Sequence, residues 1–215
     1  MTGNRFQPSS PTSPSGCPCL MAPQLRHNAG FLQNHRYAVH NSRQSWLAHP
    51  HSLPRSLRAW LSDRGSLTQR LKSRCAAFHV VPLIIGLARP NPDEYALLGI
   101  AAGTRVYVRE VLLMCNDIPV VFAHSVLPYP SLRGGWNRIS RLGSRPLGEA
   151  LFSDHRIQRQ PLTFQHLHHD HPLFRSVARQ RPLSARSLWA RRSVFSLNHH
   201  PLLVTEVFLP AIDAL

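Results

Sequence analysis

The sequence predicts an α+β domain built on a single antiparallel β-sheet with short flanking helices. Two pairs of strand-like segments are separated by short loops, and one further apolar segment precedes them. In the first pair, Asn116 and Asp117 tolerate the positive φ that a two-residue hairpin turn requires. In the earliest segment, Pro82 indicates an edge strand or a bulge. The predicted strands are residues 76–87, 105–115, 118–127, 188–197 and 202–210.

Short helices are predicted between these strands. Ser66 and Gln69 have the spacing of a capping box, so a helix should begin directly after Ser66. Ser144 is predicted to cap a later helix, with Pro146 in its first turn, where the missing N–H costs nothing. The predicted helical segments are residues 54–61, 67–74, 93–98, 136–142 and 146–152.

The composition favours an anionic ligand. The 215 residues carry a formal net charge of +15, which steers a protein toward nucleic acid, an acidic membrane surface or a small multi-carboxylate substrate. The surplus comes from scattered arginines, and no nucleic-acid-binding motif is present, so nucleic acid is not the expected partner. Residues 1–50 are rich in Ser, Pro, Asn, Gln and His and are predicted to be a disordered extension, followed by an ordered domain over residues 53–212.

The cellular setting is predicted from the cysteines and the apolar runs. The spacing of the four cysteines fits neither a zinc site nor a disulfide framework, which favours a reducing cytoplasm. The longest apolar run, residues 80–88, is far shorter than the roughly 20 residues that span a bilayer. The N-terminus has no apolar core of a secretory signal. We therefore expect neither export nor membrane insertion.

Two charged residues lie on apolar strand faces. Alternation places Glu206 on one face with three large apolar residues of its strand, so its carboxyl group must be protonated, paired or in use. Arg109 occupies an equivalent position in an earlier strand. Together they suggest a polar pocket in a β-rich core. The alternative is purely structural, with Arg109 paired to Glu110 or to Glu206.

Two backbone amides are further candidates. Leu67 and Leu147 lie in the first turns of predicted helices, where N–H groups lack helical partners and can donate to an anion. From local sequence alone, ordinary capped helices are the simpler interpretation. The run QHLHHDHP, residues 165–172, contains ligand types for a metal ion, but neighbouring residues do not readily converge on one ion, so a solvent-exposed loop is predicted instead.

Five segments, taken in this order, resemble the chorismate lyase family, whose members convert chorismate to 4-hydroxybenzoate and pyruvate at the start of bacterial ubiquinone synthesis. The segments are WLSDRGSLTQRL (60–71), VREVLL (108–113), LGSRPLGEALF (142–152), LWARRSVF (188–195) and PLLVTEVFLP (201–210). The resemblance implies that product is bound by Arg109, by Glu206 and by the backbone amides of Leu67 and Leu147. It also implies chorismate as the partner, no metal or organic cofactor, and a pocket under flaps that releases product slowly.

We accordingly expect a cytoplasmic monomer in which Arg109→Ala mainly weakens substrate binding and Glu206→Ala mainly lowers turnover. One departure concerns His124, which stands where relatives often have an arginine, so this chain does not have that arginine to admit the anionic substrate. The alternative function is a non-catalytic binding domain of the same fold, as in transcription regulators. Residues 1–50 lack the helical periodicity of the winged-helix domain that such regulators carry.

Overall fold

The computed structural model describes residues 45–50, 53–180 and 182–215, which form one antiparallel seven-stranded sheet with short helices. The predicted α+β class is therefore confirmed. The strands are β1 (Phe78–Ala88), β2 (Val106–Cys115), β3 (Ile118–Pro128), β4 (Gln158–Arg159), β5 (Thr163–His168), β6 (Ser187–Leu197) and β7 (His200–Phe208). The helices are α1 (Arg55–Ser62), α2 (Leu67–Lys72), α3 (Glu94–Leu98), α4 (Tyr129–Arg133), α5 (Leu147–Ser153) and α6 (Pro172–Gln180), with 3-10 turns at Ile139–Arg141 and Pro210–Ala214.

The sheet order is β1-β2-β3-β7-β6-β4, and β5 also pairs with β6. Both predicted hairpins are present. The first turn has Asn116 and Asp117 at φ 49° and 64°, and the second has Asn198 and His199 at φ 50° and 64°. The second loop is thus two residues long, shorter than the predicted residues 198–201, because Asn and His both adopt the left-handed conformation here. β1 is an edge strand with a register shift after Pro82.

The helix starts differ in their caps. The Ser66 hydroxyl accepts a hydrogen bond from the Gln69 amide at 3.3 Å, which confirms the predicted cap of α2. The predicted Ser144 cap of α5 is wrong, because Pro146 occupies the cap position in an extended conformation and no side chain caps the helix. Pro146 has φ −64° and ψ 130°, which is outside the helical region, so the helix begins at Leu147 rather than at residue 146.

The histidine-rich segment is ordered rather than a loop, so that prediction was wrong. Residues 163–168 form β5 beside β6, and α6 begins at Pro172. Leu167 is fully buried, while His166 stacks on Trp189 with 4.8 Å between ring centroids. Histidines at alternate positions concealed the strand pattern in the sequence.

Helices cover both faces of the sheet. α1, α2 and α5 pack on the face that carries Arg109 and Glu206, which we call the front face, and α3 and α6 pack on the back face. Residues 1–44 of the predicted extension lie outside the described residues. Of its remaining part, Leu47 exchanges two backbone hydrogen bonds of 2.8 Å with Phe164, so this residue belongs to the folded domain.

A disulfide bond joins Cys75 and Cys115, which corrects the expectation that the cysteines form no disulfide framework. The two residues are 40 positions apart, and the antiparallel pairing of β1 with β2 brings them within 5.3 Å between Cα atoms. The spacing of the cysteines in the sequence does not predict this disulfide. Free thiols are therefore no longer an argument for a reducing compartment.

Within the described part of the chain, every helix is too short or too polar to cross a lipid bilayer.

Candidate active site

A cavity lies between the front face of the sheet and the starts of α2 and α5. Its floor exists because β3 contributes only small side chains there, Ala123 and Ser125. Ala123 lies in register between Val111 and Glu206, and Ser125 lies between Arg109 and Val204. Small residues flanked by large ones on both neighbouring strands leave room for a ligand above the sheet.

Arg109 is held at one side of this cavity. Its side chain is buried, and its Nη2 donates hydrogen bonds to the carbonyl oxygens of Gly143 at 3.0 Å and Arg145 at 2.9 Å. Burial lowers the pKa of the Arg109 guanidinium below its usual value. The buried Nε has no hydrogen-bond partner among the described residues. A buried donor without an acceptor is costly, so the site suits an anionic ligand.

Glu206 pairs with Arg191 rather than with Arg109, which corrects the predicted structural alternative. Arg191 Nε donates to Glu206 Oε2 at 2.5 Å, and the Arg191 side chain is 1% exposed against 17% for Glu206. The two residues are directly opposite each other on β6 and β7. Arg191 Nη1 also donates to the carbonyl oxygens of Trp60 at 2.8 Å and Asp63 at 2.6 Å. Arg191 thus fixes both the carboxylate and the chain that leads into α2.

The backbone amides of Leu67 and Leu147 open α2 and α5 at the cavity wall. Neither amide donates to a protein acceptor within the described residues. The two helix starts touch at Gly148, where an added Cβ would lie 2.7 Å from Thr68 Oγ1. Only a glycine permits this approach, which sets the distance between the two amides.

We expect Gly148→Ala to push α5 away from α2 and to lower kcat/KM by about 10- to 100-fold, as small misplacements of binding groups do. The measurement is steady-state kinetics together with a thermal melt to show that the fold persists. Adding Thr68→Ala removes the clashing hydroxyl and should recover much of the loss. Unchanged kinetics in Gly148→Ala would show that the spacing of the two helix starts does not matter.

All four predicted site residues therefore line one cavity: Arg109, Glu206, Leu67 and Leu147. Glu206 lies two strands away from Arg109. It is also two residues beyond Val204, the β7 residue in register with Arg109, which places the two Cα atoms roughly 12 Å apart. That span accommodates one six-membered ring with a polar group at each end. Sequence reasoning missed two arginines, Arg191 and Arg159, the second of which also lines the cavity.

His124 lies on the opposite face of the sheet and does not line this cavity. Its Nδ1 is 3.0 Å from Glu110 Oε1, and its Nε2 is 3.2 Å from Glu94 Oε1. Burial by itself disfavours the imidazolium, but these two carboxylates raise the pKa of His124 to about 10. Replacement of arginine by His124 therefore bears on the packing of α3 against the back face.

His124 should make stability depend on pH. Its pKa is about 10 in the folded protein, whereas a free histidine side chain titrates near 6.5, so the folded state holds the extra proton between these pH values. Its stabilising contribution is full below about pH 6.5 and is lost as the pH rises toward 10. We expect the urea midpoint of the wild type to fall across this range.

His124→Gln should be destabilised by about 3–5 kcal/mol at neutral pH, because two buried carboxylates lose their cation. Its urea midpoint should then change much less between about pH 7 and about pH 10 than that of the wild type. Parallel pH profiles for the two proteins would show that His124 is not the titrating group.

Comparison with known proteins gives a consistent result. A family model described as chorismate lyase matches residues 40–213. The chain is 56% identical over 167 residues to a probable chorismate pyruvate-lyase of Thiobacillus denitrificans, covering 78% of this chain and 89% of that protein. It is 47% identical over 171 residues to a protein of the same name from Nitrosomonas europaea, covering 80% of this chain and 96% of that protein.

Solved structures show a weaker similarity, with lower sequence identity. PhnF from Mycobacterium smegmatis has a TM-score of 0.48 at 16% identity, covering 69% of this chain and 65% of that chain. A GntR-family transcriptional regulator from Bacillus cereus has a TM-score of 0.47 at 14% identity, covering 62% of this chain and 92% of that chain. The sequence matches are far stronger than these. On the family model and the curated relatives, the chain belongs to the chorismate lyase family.

Proposed function

We propose that this protein is a lyase that removes pyruvate from chorismate to give 4-hydroxybenzoate, the first step toward the ubiquinone ring. The observation that carries the proposal is the cavity of this family member, in which Arg109 and Glu206 both line the wall, with Cα atoms roughly 12 Å apart, above a floor of small residues. Relatives that span four fifths of the chain are named for the same reaction.

The substrate matches the charges of the cavity. Chorismate has a ring carboxylate at C1 and a hydroxyl at C4, on opposite sides of the ring. The planar guanidinium of Arg109 suits the carboxylate, and its unpaired Nε supplies a donor. Arg191 occupies Glu206 Oε2, which leaves Oε1 to accept a hydrogen bond from the ring hydroxyl. The amides of Leu67 and Leu147 add fixed donors that need no reorganisation.

The reaction is an elimination. The bond between C3 and the ether oxygen breaks, C4 loses its hydrogen, and the C4–H electron pair completes the aromatic ring. The enolpyruvate that leaves becomes pyruvate when its methylene carbon gains a proton. No oxidant or reductant is consumed and aromatisation makes the reaction favourable, so we propose that holding the reactive geometry is the main task of the protein and that no cofactor takes part.

The test is incubation with chorismate in excess EDTA, following 4-hydroxybenzoate and pyruvate against the uncatalysed background. Equal yields of both products, above background, would support a metal-independent lyase. If chorismate persists while 4-hydroxybenzoate still binds, the chain is instead a binding domain that has kept the cavity without the reaction.

Glu206→Gln is the matched variant for this experiment, because it keeps the size of the side chain and removes its charge. We expect kcat to fall by at least about 100-fold, since a positioned carboxylate near the reacting carbons is lost, with a smaller change in KM. A variant with wild-type kcat would remove Glu206 from the reaction. The melting temperature should be measured in parallel, because the ion pair with Arg191 is also lost.

A further part of the proposal concerns the oligomeric state, the compartment and the partners of the protein. We propose that the protein acts as a monomer, because the four site residues all come from one chain. We also propose that it acts on chorismate in the cytoplasm, without a nucleic-acid or membrane partner. A sedimentation measurement showing a stable dimer would overturn the proposed monomer.

A further inference from the structure

Arg159 is a second arginine in the wall of the same cavity. It lies on β4 in register with Phe195, and its guanidinium carbon is 5.1 Å from the centroid of the Phe195 ring and 5.7 Å from that of Phe152. Its Nη1 donates to the carbonyl oxygen of Arg64 at 2.8 Å. Two aromatic rings and one carbonyl therefore hold the planar group in place.

One N–H donor of the Arg159 guanidinium has no acceptor in the part of the chain that the structure describes. The Nε of Arg159 is buried and has no hydrogen-bond partner among the described residues. A buried guanidinium N–H without an acceptor is costly unless a ligand supplies the acceptor. The side chain is thus fixed, and its Nε, like that of Arg109, can donate to a bound anion.

Arg159 and Arg109 lie at different ends of the cavity. Burial lowers the pKa of the Arg159 guanidinium, and the carboxylate of Glu206 is the strongest of the influences that oppose it. For Arg109 the opposing influence is Tyr107. In the sheet, β4 lies two strands from β7, which carries Glu206, and four strands from β2, which carries Arg109. Arg159 is therefore assigned to the Glu206 end of the cavity, where the ring hydroxyl of the substrate is expected.

Chorismate has a second carboxylate close to that hydroxyl. The enolpyruvyl ether is attached at C3, next to the C4 hydroxyl, so its carboxylate extends from the Glu206 end of the ring. Arg191 is committed to Glu206 and to backbone carbonyls and does not line the cavity. Among the described residues that line it, Arg109 and Arg159 are the positively charged ones.

Resting on the proposed function, we propose that Arg159 binds the carboxylate of the enolpyruvyl group and so selects a dicarboxylate substrate over aromatic monocarboxylates. When the C3–O bond breaks, this carboxylate leaves with pyruvate. The aromatic product keeps its contacts with Arg109 and Glu206 and has none with Arg159. Substrate and product therefore depend on different sets of residues.

The experiment compares Arg159→Gln with Arg156→Gln, a matched control. Arg156 is an exposed arginine three residues away that pairs with Asp154 outside the cavity. We expect Arg159→Gln to raise KM for chorismate by about 10- to 100-fold, the usual effect of losing a hydrogen bond to a charged group. The Kd of 4-hydroxybenzoate, measured by calorimetry, should change less than about threefold, which also shows that the cavity is intact.

The outcomes separate this inference from the proposed function. An unchanged KM, or equal losses in KM and in 4-hydroxybenzoate affinity, would overturn the role of Arg159 while leaving the lyase activity in place. If the wild type does not convert chorismate, the proposed function fails. The Kd of unreacted chorismate in the wild type and in Arg159→Gln would then still decide whether Arg159 binds its second carboxylate.

Discussion

An Arg109→Gln variant is expected to lose most of its affinity for chorismate and for 4-hydroxybenzoate alike. Removing one partner of a buried charged contact costs about 2–5 kcal/mol, which corresponds to about 30- to 5,000-fold in Kd. Both ligands should suffer because both carry the ring carboxylate that we assign to Arg109. Calorimetry with 4-hydroxybenzoate and steady-state kinetics with chorismate measure the two effects.

Arg145→Gln is the control for this variant. It removes a neighbouring positive charge but keeps the Arg145 carbonyl oxygen that accepts from Arg109. We expect its affinity for 4-hydroxybenzoate to stay close to that of the wild type. Equal losses in the two variants would mean that the net charge near the cavity, rather than the Arg109 contact, determines binding.

An Arg191→Met variant is expected to lose much of its stability. The change leaves the Glu206 carboxylate without its ion pair and the carbonyl oxygens of Trp60 and Asp63 without a donor. Breaking a buried pair from one side costs about 3–5 kcal/mol, which for a domain of this size lowers the melting temperature by roughly 10 °C. Thermal melts monitored by circular dichroism give the value.

The double variant Arg191→Met/Glu206→Met distinguishes the ion pair from simple packing. Without either charge, no unpaired ion remains at the site, so the double variant should be more stable than Arg191→Met alone. Additive losses from the two substitutions would instead show that the two side chains contribute independently. In either case kcat should be very low, because Glu206 is absent.

The sheet was largely predictable because local patterns determine it. Runs of apolar and β-branched residues identify β2, β3, β6 and β7, and the residue types of the Asn116-Asp117 turn favour a hairpin. β5 was not predictable, because His166 and His168 break its apolar alternation and its partner β6 lies about 20 residues away along the chain. The same limit applies to the disulfide between Cys75 and Cys115.

The cross-strand partner of Glu206 depends on the length of the β6-β7 loop. With the predicted four-residue loop, residues 198–201, Ser193 would lie opposite Glu206. The actual turn has two residues, Asn198 and His199, and this shifts the register so that Arg191 lies opposite Glu206. A shift of two residues preserves the face of every side chain but changes its cross-strand neighbour.

The sequence by itself determined the faces of the strands and hence that Arg109 and Glu206 lie in the apolar interior, because side-chain direction alternates along a strand. It also determined the start of α2, because the Ser66 cap acts locally. Only the tertiary structure decided what each charge contacts. Arg109 contacts the loop before α5, Arg191 contacts Glu206, and Arg159 reaches the cavity from an edge strand. Such contacts depend on register and on packing between segments far apart in the chain, which no local pattern specifies.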